Sequence, residues 1–409
     1  MLFLYNIGIY SYFLLILLSS PFNKKAKLWI KGRKNIFKRL AENIDSSSKI
    51  AWFHCASLGE FEQGRPVIEE FKKKYNTYKI LLTFFSPSGY EIRKNYKEAD
   101  YIFYLPVDFK CNVKKFIKIV NPQIAFFVKY EFWYNYLNEL NNSKVPTYIF
   151  SANFRKEQIF FKSYGEFYKN MLKYFNHIFV QNENSLQLLQ TIGINNITIS
   201  GDTRFDRVYT IAQNSTQLPL IEIFKQNKLL FIAGSTWEKD AEILIKYINS
   251  TKNNIKFIIA PHEISNSNIE QIYSSVNKKV VKYSEAKEND IADYSVLIID
   301  NIGMLSSLYK YAEIAYIGGG FGKGIHNLLE AATFGMPVIF GPNHHKFVEA
   351  TDLIKMGAGF EISGYDDFCA KINEFIDNPT KLSDASFNAK SYVERNIGAT
   401  KRILENIKF

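Results

Sequence analysis

From Lys49 onward, short apolar runs alternate with helical stretches: IAWFHCA, a helix from Glu62, then KILLTFF, YIFYLPV, QIAFFVKY, VPTYIFS, HIFVQN and NITISG. Strands separated by helices must pair in parallel, because each crossover returns the chain to the same edge. The runs are continuously apolar, as strands covered by helices on both faces require. A polar stretch with a proline, Gln213 to Leu220, interrupts the pattern. It restarts at LLFIAGS and continues through KFIIAP, KVVKY, SVLIID, EIAYIGG and PVIFG. The expectation is an α/β protein of two Rossmann-like, doubly wound halves facing a cleft, over residues 21–212 and 227–409, joined by a linker at 213–226. A chain of 409 residues is long enough to give each half its own core. Ligands of such sheets lie beyond the carboxyl ends of the strands, so the loops there carry the functional argument.

Ahead of the first strand, residues 2 to 18 (LFLYNIGIYSYFLLILL) hold no charge, and Lys24, Lys25, Lys27, Lys31, Arg33, Lys34, Lys38 and Arg39 follow. A secretory signal has the reverse order, positive residues first. Residues 1–20 are therefore read as an N-terminal membrane anchor that spans or lies in the interface, with the basic stretch held cytoplasmic, and as contributing no strand or motif to the folded part. A buried core helix is the alternative; Tyr5, Asn6, Tyr10 and Tyr12 suit a headgroup layer better. The net charge of +11 calls for an anionic partner. Its concentration behind the apolar run favours anionic lipid, and no nucleic acid is expected, since neither aromatic-interleaved basic strands nor a basic recognition helix is present. Cys55, Cys111 and Cys369 have neither metal nor disulfide spacing, which suits a reducing cytoplasm.

The densest motif is residues 314 to 343, IAYIGGGFGKGIHNLLEAATFGMPVIFGPN. A strand runs into Gly318, Gly319 and Gly320, where backbone N–H groups can approach a ligand closely. Asn327 then opens a helix, closed by Gly335 and Pro337, whose amino end favours an anion. Glu330 in its first turn suits a ribose diol. Neither a P-loop nor a GxGxxG register can be aligned, so the segment reads as a nucleotide-sugar site; a tight turn beneath a packed helix is the bland alternative. Ser235 and Thr236 end another strand as phosphate donors, Pro261 and His262 end a third, and Gly303 follows a fourth. In the first half, Glu60 follows a turn made by Ser57 and Gly59 and is placed to take a proton from a hydroxyl, or simply to cap a helix. Glu131 follows its strand among Lys129, Trp133 and Asn135. Arg204, between Asp202 and Asp206, is either a surface ion pair or a cation for developing negative charge.

In order from residue 54 to 343, HCASLGEFEQGRPVIEEF, LLTFFSPSGY, YLPVDF, KYEFWYN, SANFR, GDTRFD, GSTWEKD and GGGFGKGIHNLLEAATFGMPVIFGPN resemble the 3-deoxy-D-manno-octulosonic acid (Kdo) transferase family. The resemblance covers nearly the whole chain, anchor included. It implies a GT-B fold and inverting, metal-independent transfer of Kdo from CMP-Kdo to a lipid A precursor in lipopolysaccharide core synthesis at the inner membrane, without a cofactor. No DxD pair follows a strand to suggest a divalent ion. It further implies that Glu60 is the general base, that Glu131 and Arg204 stabilise the transition state, and that Pro261, His262, Ile302, Gly303, Met304, Asn327, Leu328, Leu329 and Glu330 contact CMP. Two positions depart from the pattern: the family commonly has lysine at Arg204 and arginine at His262. The alternatives are a related GT-B transferase with a UDP-sugar donor and a non-catalytic, membrane-tethered binder of anionic glycolipid.

Overall fold

Seven parallel strands form one sheet: β1 (Lys49–Cys55), β2 (Tyr78–Phe84), β3 (Tyr101–Tyr104), β4 (Pro122–Val128), β5 (Thr147–Ala152), β6 (His177–Val180) and β7 (Ile197–Ile199). Seven more form the second: β8 (Leu230–Thr236), β9 (Lys256–Pro261), β10 (Val280–Lys282), β11 (Val296–Ile298), β12 (Ile314–Ile317), β13 (Val338–Phe340) and β14 (Gly359–Glu361). The structure is a computed structural model that describes residues 1–408. It divides into two units: Met1–Arg207 together with the C-terminal residues from Ile397, and Val208–Asn396.

In the first unit the strand order is β3-β2-β1-β4-β5-β6-β7, and in the second β10-β11-β9-β8-β12-β13-β14. The winding reverses between β1 and β4 in one sheet and between β8 and β12 in the other. Helices cover both faces, which is why the strands read as unbroken apolar runs. In β1, every residue from Ile50 to Cys55 is buried. Trp52 packs against Phe116, Phe127 and Tyr136 on one face, while Phe53 stacks on Phe126 at 4.5 Å and meets Phe71 on the other.

Three helices precede β1: α1 (Leu2–Ser19), α2 (Lys24–Arg33) and α3 (Ile36–Asn43). One stripe of α1, including Tyr5, Asn6, Ile9, Phe13 and Ile16 at helical spacing, is half-buried, while Phe3, Leu4, Leu15 and Leu18 are largely exposed. Tyr5 donates its hydroxyl to Asp108 Oδ2 at 2.7 Å and accepts from the N–H of Tyr134 at 3.0 Å. Asn6 Oδ1 accepts from Asn135 Nδ2 at 3.1 Å, and Tyr10 stacks on Phe109 at 4.3 Å. The run contributes no strand, yet hydrogen-bonding groups on this apolar helix satisfy buried polar groups of the first unit. Asp108, almost fully buried, also receives the N–H groups of Asn135 and Tyr136. Burial pushes its carboxyl up to about 7 against the pull of those hydrogen bonds.

The basic stretch also divides. The guanidinium of Arg33 is enclosed by the rings of Trp29, Phe85 and Tyr104 and donates to the carbonyls of Leu105, Trp29 and Phe85. Arg39 donates to Gly32 O. The six lysines from Lys24 to Lys38 stay exposed.

Two boundaries differ from the sequence reading. Inside the stretch read as a linker, Pro219–Lys225 forms a helix whose Ile221 and Phe224 are buried, and the second unit already begins at Val208. Conversely, the last helix, Ala399–Glu405, belongs to the first unit. Ile403, Leu404 and Ile407 enter its core beside Phe126 and Tyr148, and Asp206 accepts from the N–H groups of Gly398 and Thr400 at 2.5 and 2.6 Å.

Candidate active site

In the first unit Ser57 caps helix α4 (Leu58–Lys74), accepting from Gly59 N, and donates its hydroxyl to Glu60 Oε2. Glu60 therefore sits half-buried in the first turn of α4, just past the end of β1. Glu131 is held more tightly. After β4 the chain turns through Lys129 at φ 71°, bringing Glu131 to 9% exposure. Its Oε2 accepts from Trp133 Nε1 at 2.7 Å and lies 3.1 Å from Nε2 of the fully buried His54 on β1. His54 Nδ1 is 2.9 Å from Thr83 Oγ1 on β2, which itself accepts from Trp52 Nε1 at 2.8 Å. Nδ1 also lies 3.2 Å from Thr83 O, and Nε2–H donates to the carboxylate. Three strands thus fix the aim of one carboxylate.

Both glutamates act on Cys55. Burial first, then the charges of Glu60 and Glu131, push the Cys55 thiol well above its usual range, so it is no nucleophile. Burial raises Tyr130 too, with Arg155 opposing and Asp202 and Glu60 adding to the shift. Arg204 donates from Nε to Asp202 Oδ2 at 2.8 Å, and its backbone N–H donates to Oδ1 at 2.9 Å. Thr203 pins this turn by donating to Gln63 O at 2.6 Å. Asp206, expected to flank Arg204, caps the C-terminal helix.

In the second unit, the carboxyl ends of β8 and β12 meet. A Cβ on Gly318 would lie 2.3 Å from Ser235 O, so only glycine allows the approach, and Ser235 (φ 54°) and Gly319 (φ 94°) take left-handed conformations there. The buried Asp240 accepts from Trp237 N–H and Gly319 N–H, both at 2.8 Å, and from Tyr316 O–H at 2.6 Å. Four further amides of the loop are committed: Gly318 donates to Gly234 O, Gly322 and Gly324 to Gly319 O, and His326 to Gly318 O. Of the three glycines read as approaching a ligand, Gly318 and Gly319 thus spend their amides inside the unit. The expected helix is likewise a single turn, Leu329–Ala332, extended by hydrogen bonds to Gly335 at φ 77°. Asn327 lies before it, accepting from Leu329 N–H at 3.1 Å and donating to Glu330 Oε1 at 3.0 Å. Leu328 and Leu329 are buried and pack rather than project. Ile302 is 87% exposed, Gly303 takes φ 96°, and Met304 heads the short helix Leu305–Leu308.

Other polar groups remain at this edge. Thr236 is 2% exposed and its Oγ1 has no hydrogen-bond partner. His262, just past β9, is joined to it through His262 N–H and Thr236 O at 2.9 Å. The His262 ring stacks at 4.5 Å on both Trp237 and His326. Those two rings lie within 11° of coplanar, linked edge to edge by Trp237 Nε1–H to His326 Nε2 at 3.0 Å. Burial, then His262, lowers the pKa of His326, with Asp240 opposing. Sequence reasoning singled out His262 but neither Trp237, Asp240 nor His326 for function. His54 and Thr83 were missed because they lie inside apolar runs.

Two doubly wound parallel sheets of this order define the GT-B class of glycosyltransferase folds. Solved structures share the architecture: UDP-GlcNAc 2-epimerase from Neisseria meningitidis (TM-score 0.60, 16% identity, 87% of this chain and 98% of that one), and a glycosyltransferase from Rickettsia africae ESF-5 (TM-score 0.57, 15% identity, 88% and 97%). The family described as 3-deoxy-D-manno-octulosonic-acid transferase (kdotransferase) matches residues 32–207. Proteins named 3-deoxy-D-manno-octulosonic acid transferase are similar along most of the chain. That of Aquifex aeolicus is 29% identical over 82% of this chain and 88% of its own length, and that of Chlamydophila psittaci 27% over 77% and 75%. Residues 32–207 thus match the Kdo transferase family, and relatives bearing that name align along most of the chain.

Proposed function

We propose that the chain transfers Kdo from CMP-Kdo to a hydroxyl of a lipid A precursor, with inversion, without a metal ion, at the cytoplasmic face of the inner membrane. The carrying observation is one of topology. Glu60 and Glu131 follow β1 and β4, and Ser235 with Thr236 and the glycine loop follow β8 and β12, so each set stands where its sheet reverses its winding. Those are the positions at which doubly wound sheets take ligands. In the proposed reaction the acceptor oxygen bonds to the anomeric carbon of Kdo as the bond to the CMP phosphate oxygen breaks. The hydroxyl proton passes to Glu60, and the electron pair leaves on the phosphate. Glu131 faces the positive charge that develops on the sugar, and Arg204 the negative charge of the departing side. Mass spectrometry of product made from purified chain, CMP-Kdo and a tetraacylated precursor tests the reaction; absence of a Kdo adduct rejects it.

Support for a lipid acceptor comes from the first unit. A cavity of about 850 Å³ is walled by Phe13, Trp29, Val107 and Phe109 and ringed by Lys27, Lys31, Lys34, Lys38 and Lys115. Apolar walls beneath a ring of ammonium groups suit acyl chains attached to phosphorylated sugar. The docking of Tyr5 through Phe13 along the protein supports an α1 that lies in the interface, its outer face against lipid, over one that leaves the domain to span.

Two outcomes follow here. Glu330→Ala should weaken CMP binding by about 1 to 3 kcal/mol, because ribose hydroxyls lose a charged acceptor; an unchanged dissociation constant in calorimetric titration makes Glu330 structural. A chain lacking residues 1–20 should still sediment with anionic vesicles at low salt and be released at high salt, the exposed lysines supplying about 1 kcal/mol each near the surface. It should also lose about 1 to 3 kcal/mol of stability, since the buried Asp108 and the Tyr134 N–H lose the Tyr5 hydroxyl. Unaltered melting would mean that α1 is only a tether.

A further inference from the structure

Several amides of the glycine loop are closed to an anion entering the second unit. The amides of Gly318, Gly319, Gly322 and Gly324 are committed to acceptors within the unit. The helix after Asn327 is one turn long, and Asp240 already brings a buried carboxylate to the amino end of helix Glu238–Ser250. At the same edge stand a buried hydroxyl without a partner, Thr236 Oγ1, and the exposed imidazole of His262, whose backbone N–H donates to Thr236 O.

The rings around His262 are arranged to hold it when charged. The Trp237 indole N–H donates to His326 Nε2, so that nitrogen must be unprotonated and His326 neutral. Protonating His326 would cost this bond and set two positive charges on stacked rings, whereas protonating His262 leaves the bond intact. A cation over neutral aromatic faces is favoured, indole best of all. The charged side chains on the segments carrying these rings are Glu238, Lys239 and Asp240 beside Trp237, Glu263 beside His262, and Lys323 ahead of His326. Asp240 is the one whose charge acts on His326, and its oxygens already hold Trp237, Gly319 and Tyr316.

Resting on the donor reading above, we propose that His262, stacked on the coplanar Trp237–His326 pair, is the cation that meets the phosphate of the nucleotide, and that it takes up a proton from solvent as the nucleotide binds. Trp237 and His326 are positioning residues that keep the second imidazole neutral. An anion beside an imidazole raises its pKa in the complex, so affinity is greatest below the pKa of the free chain and falls as pH rises from there to the pKa of the complex.

The test is calorimetric titration of the full chain with CMP in two buffers of different ionisation enthalpy, between pH 7 and 9. The phosphate of CMP, with a second pKa near ~6, is already ionised there and does not mask the effect. The parent should take up about half to one proton per CMP near neutral pH, and its dissociation constant should rise as much as ~10-fold per pH unit between the pKa of the free chain and that of the complex. Cytidine, lacking phosphate, should bind with no uptake. His262→Arg should bind CMP with no uptake and a constant flat across this range, and His326→Ala should reduce the uptake. Binding of CMP with no proton uptake by the parent, or with undiminished uptake by His262→Arg, overturns the inference while leaving the donor assignment standing. Failure of the parent to bind CMP at all defeats the donor assignment and the inference with it.

Discussion

Glu60→Gln should bind CMP as tightly as the parent chain and transfer Kdo slower by about 10²- to 10⁴-fold or more, the range that a positioned general base contributes. The amide keeps the shape of the carboxylate and can still accept from Ser57, so the first turn of α4 should persist. What disappears is the group that receives the acceptor's proton. Because the loss falls on chemistry, kcat and kcat/KM should drop together with little change in KM. The experiment is single-turnover transfer from CMP-Kdo alongside titration with CMP. Turnover within about tenfold of the parent would remove Glu60 from the base role.

Glu131→Ala carries the second large effect, on two quantities at once. Loss of a fixed carboxylate facing the developing positive charge should cost about 10²- to 10³-fold in kcat. Separately, His54 Nε2–H and Trp133 Nε1–H each lose an acceptor, and a buried donor left unpaired costs about 1 to 3 kcal/mol. Glu131→Gln separates the two contributions, since its carbonyl oxygen can still accept while its charge is gone. It should melt close to the parent and remain about as impaired in kcat as the alanine form. If Glu131→Gln regains parental turnover, Glu131 serves the fold and not the reaction.

The sheets were legible because burial on both faces writes itself as unbroken apolar runs, and strands as short as β11 and β12 stand where those runs predict. The strand order followed only in kind. That the chain doubles back beside β1 and beside β8 is a property of helix packing, which no single run encodes. The glycine loop was found for the right reason, but two of its three leading amides are spent within the unit. Gly318, Gly319 and Gly320 read as open backbone, yet Asp240, 79 residues before Gly319, takes one of their donors. The neighbouring helix was read from helix formers between Asn327 and Gly335, but the left-handed Gly335 ends it after one turn. His54 is an interior residue of β1 whose partner lies 77 residues away, and Trp237 meets His326 across 89. Periodicity carries no information about such pairs. The role of Asp206 was hidden for the same cause, its partners Gly398 and Thr400 lying more than 190 residues further on.

That last pairing has a consequence for how the protein is made. The second unit is one continuous segment, Val208–Asn396, and all of it is synthesised before the helix Ala399–Glu405. The first unit begins earlier and finishes later. Until the last dozen residues emerge, the core surface that receives Ile403, Leu404 and Ile407 stays open, Asp206 lacks the N–H groups of Gly398 and Thr400, and Tyr148 lacks its hydrogen bond to Lys408 O. Domains ordinarily complete in the order of synthesis; here the order is inverted. A premature stop just before Ile397 would leave the second unit whole and the first with an uncovered apolar face, so truncation at the far end of the gene should be read out as misfolding at the near end of the protein.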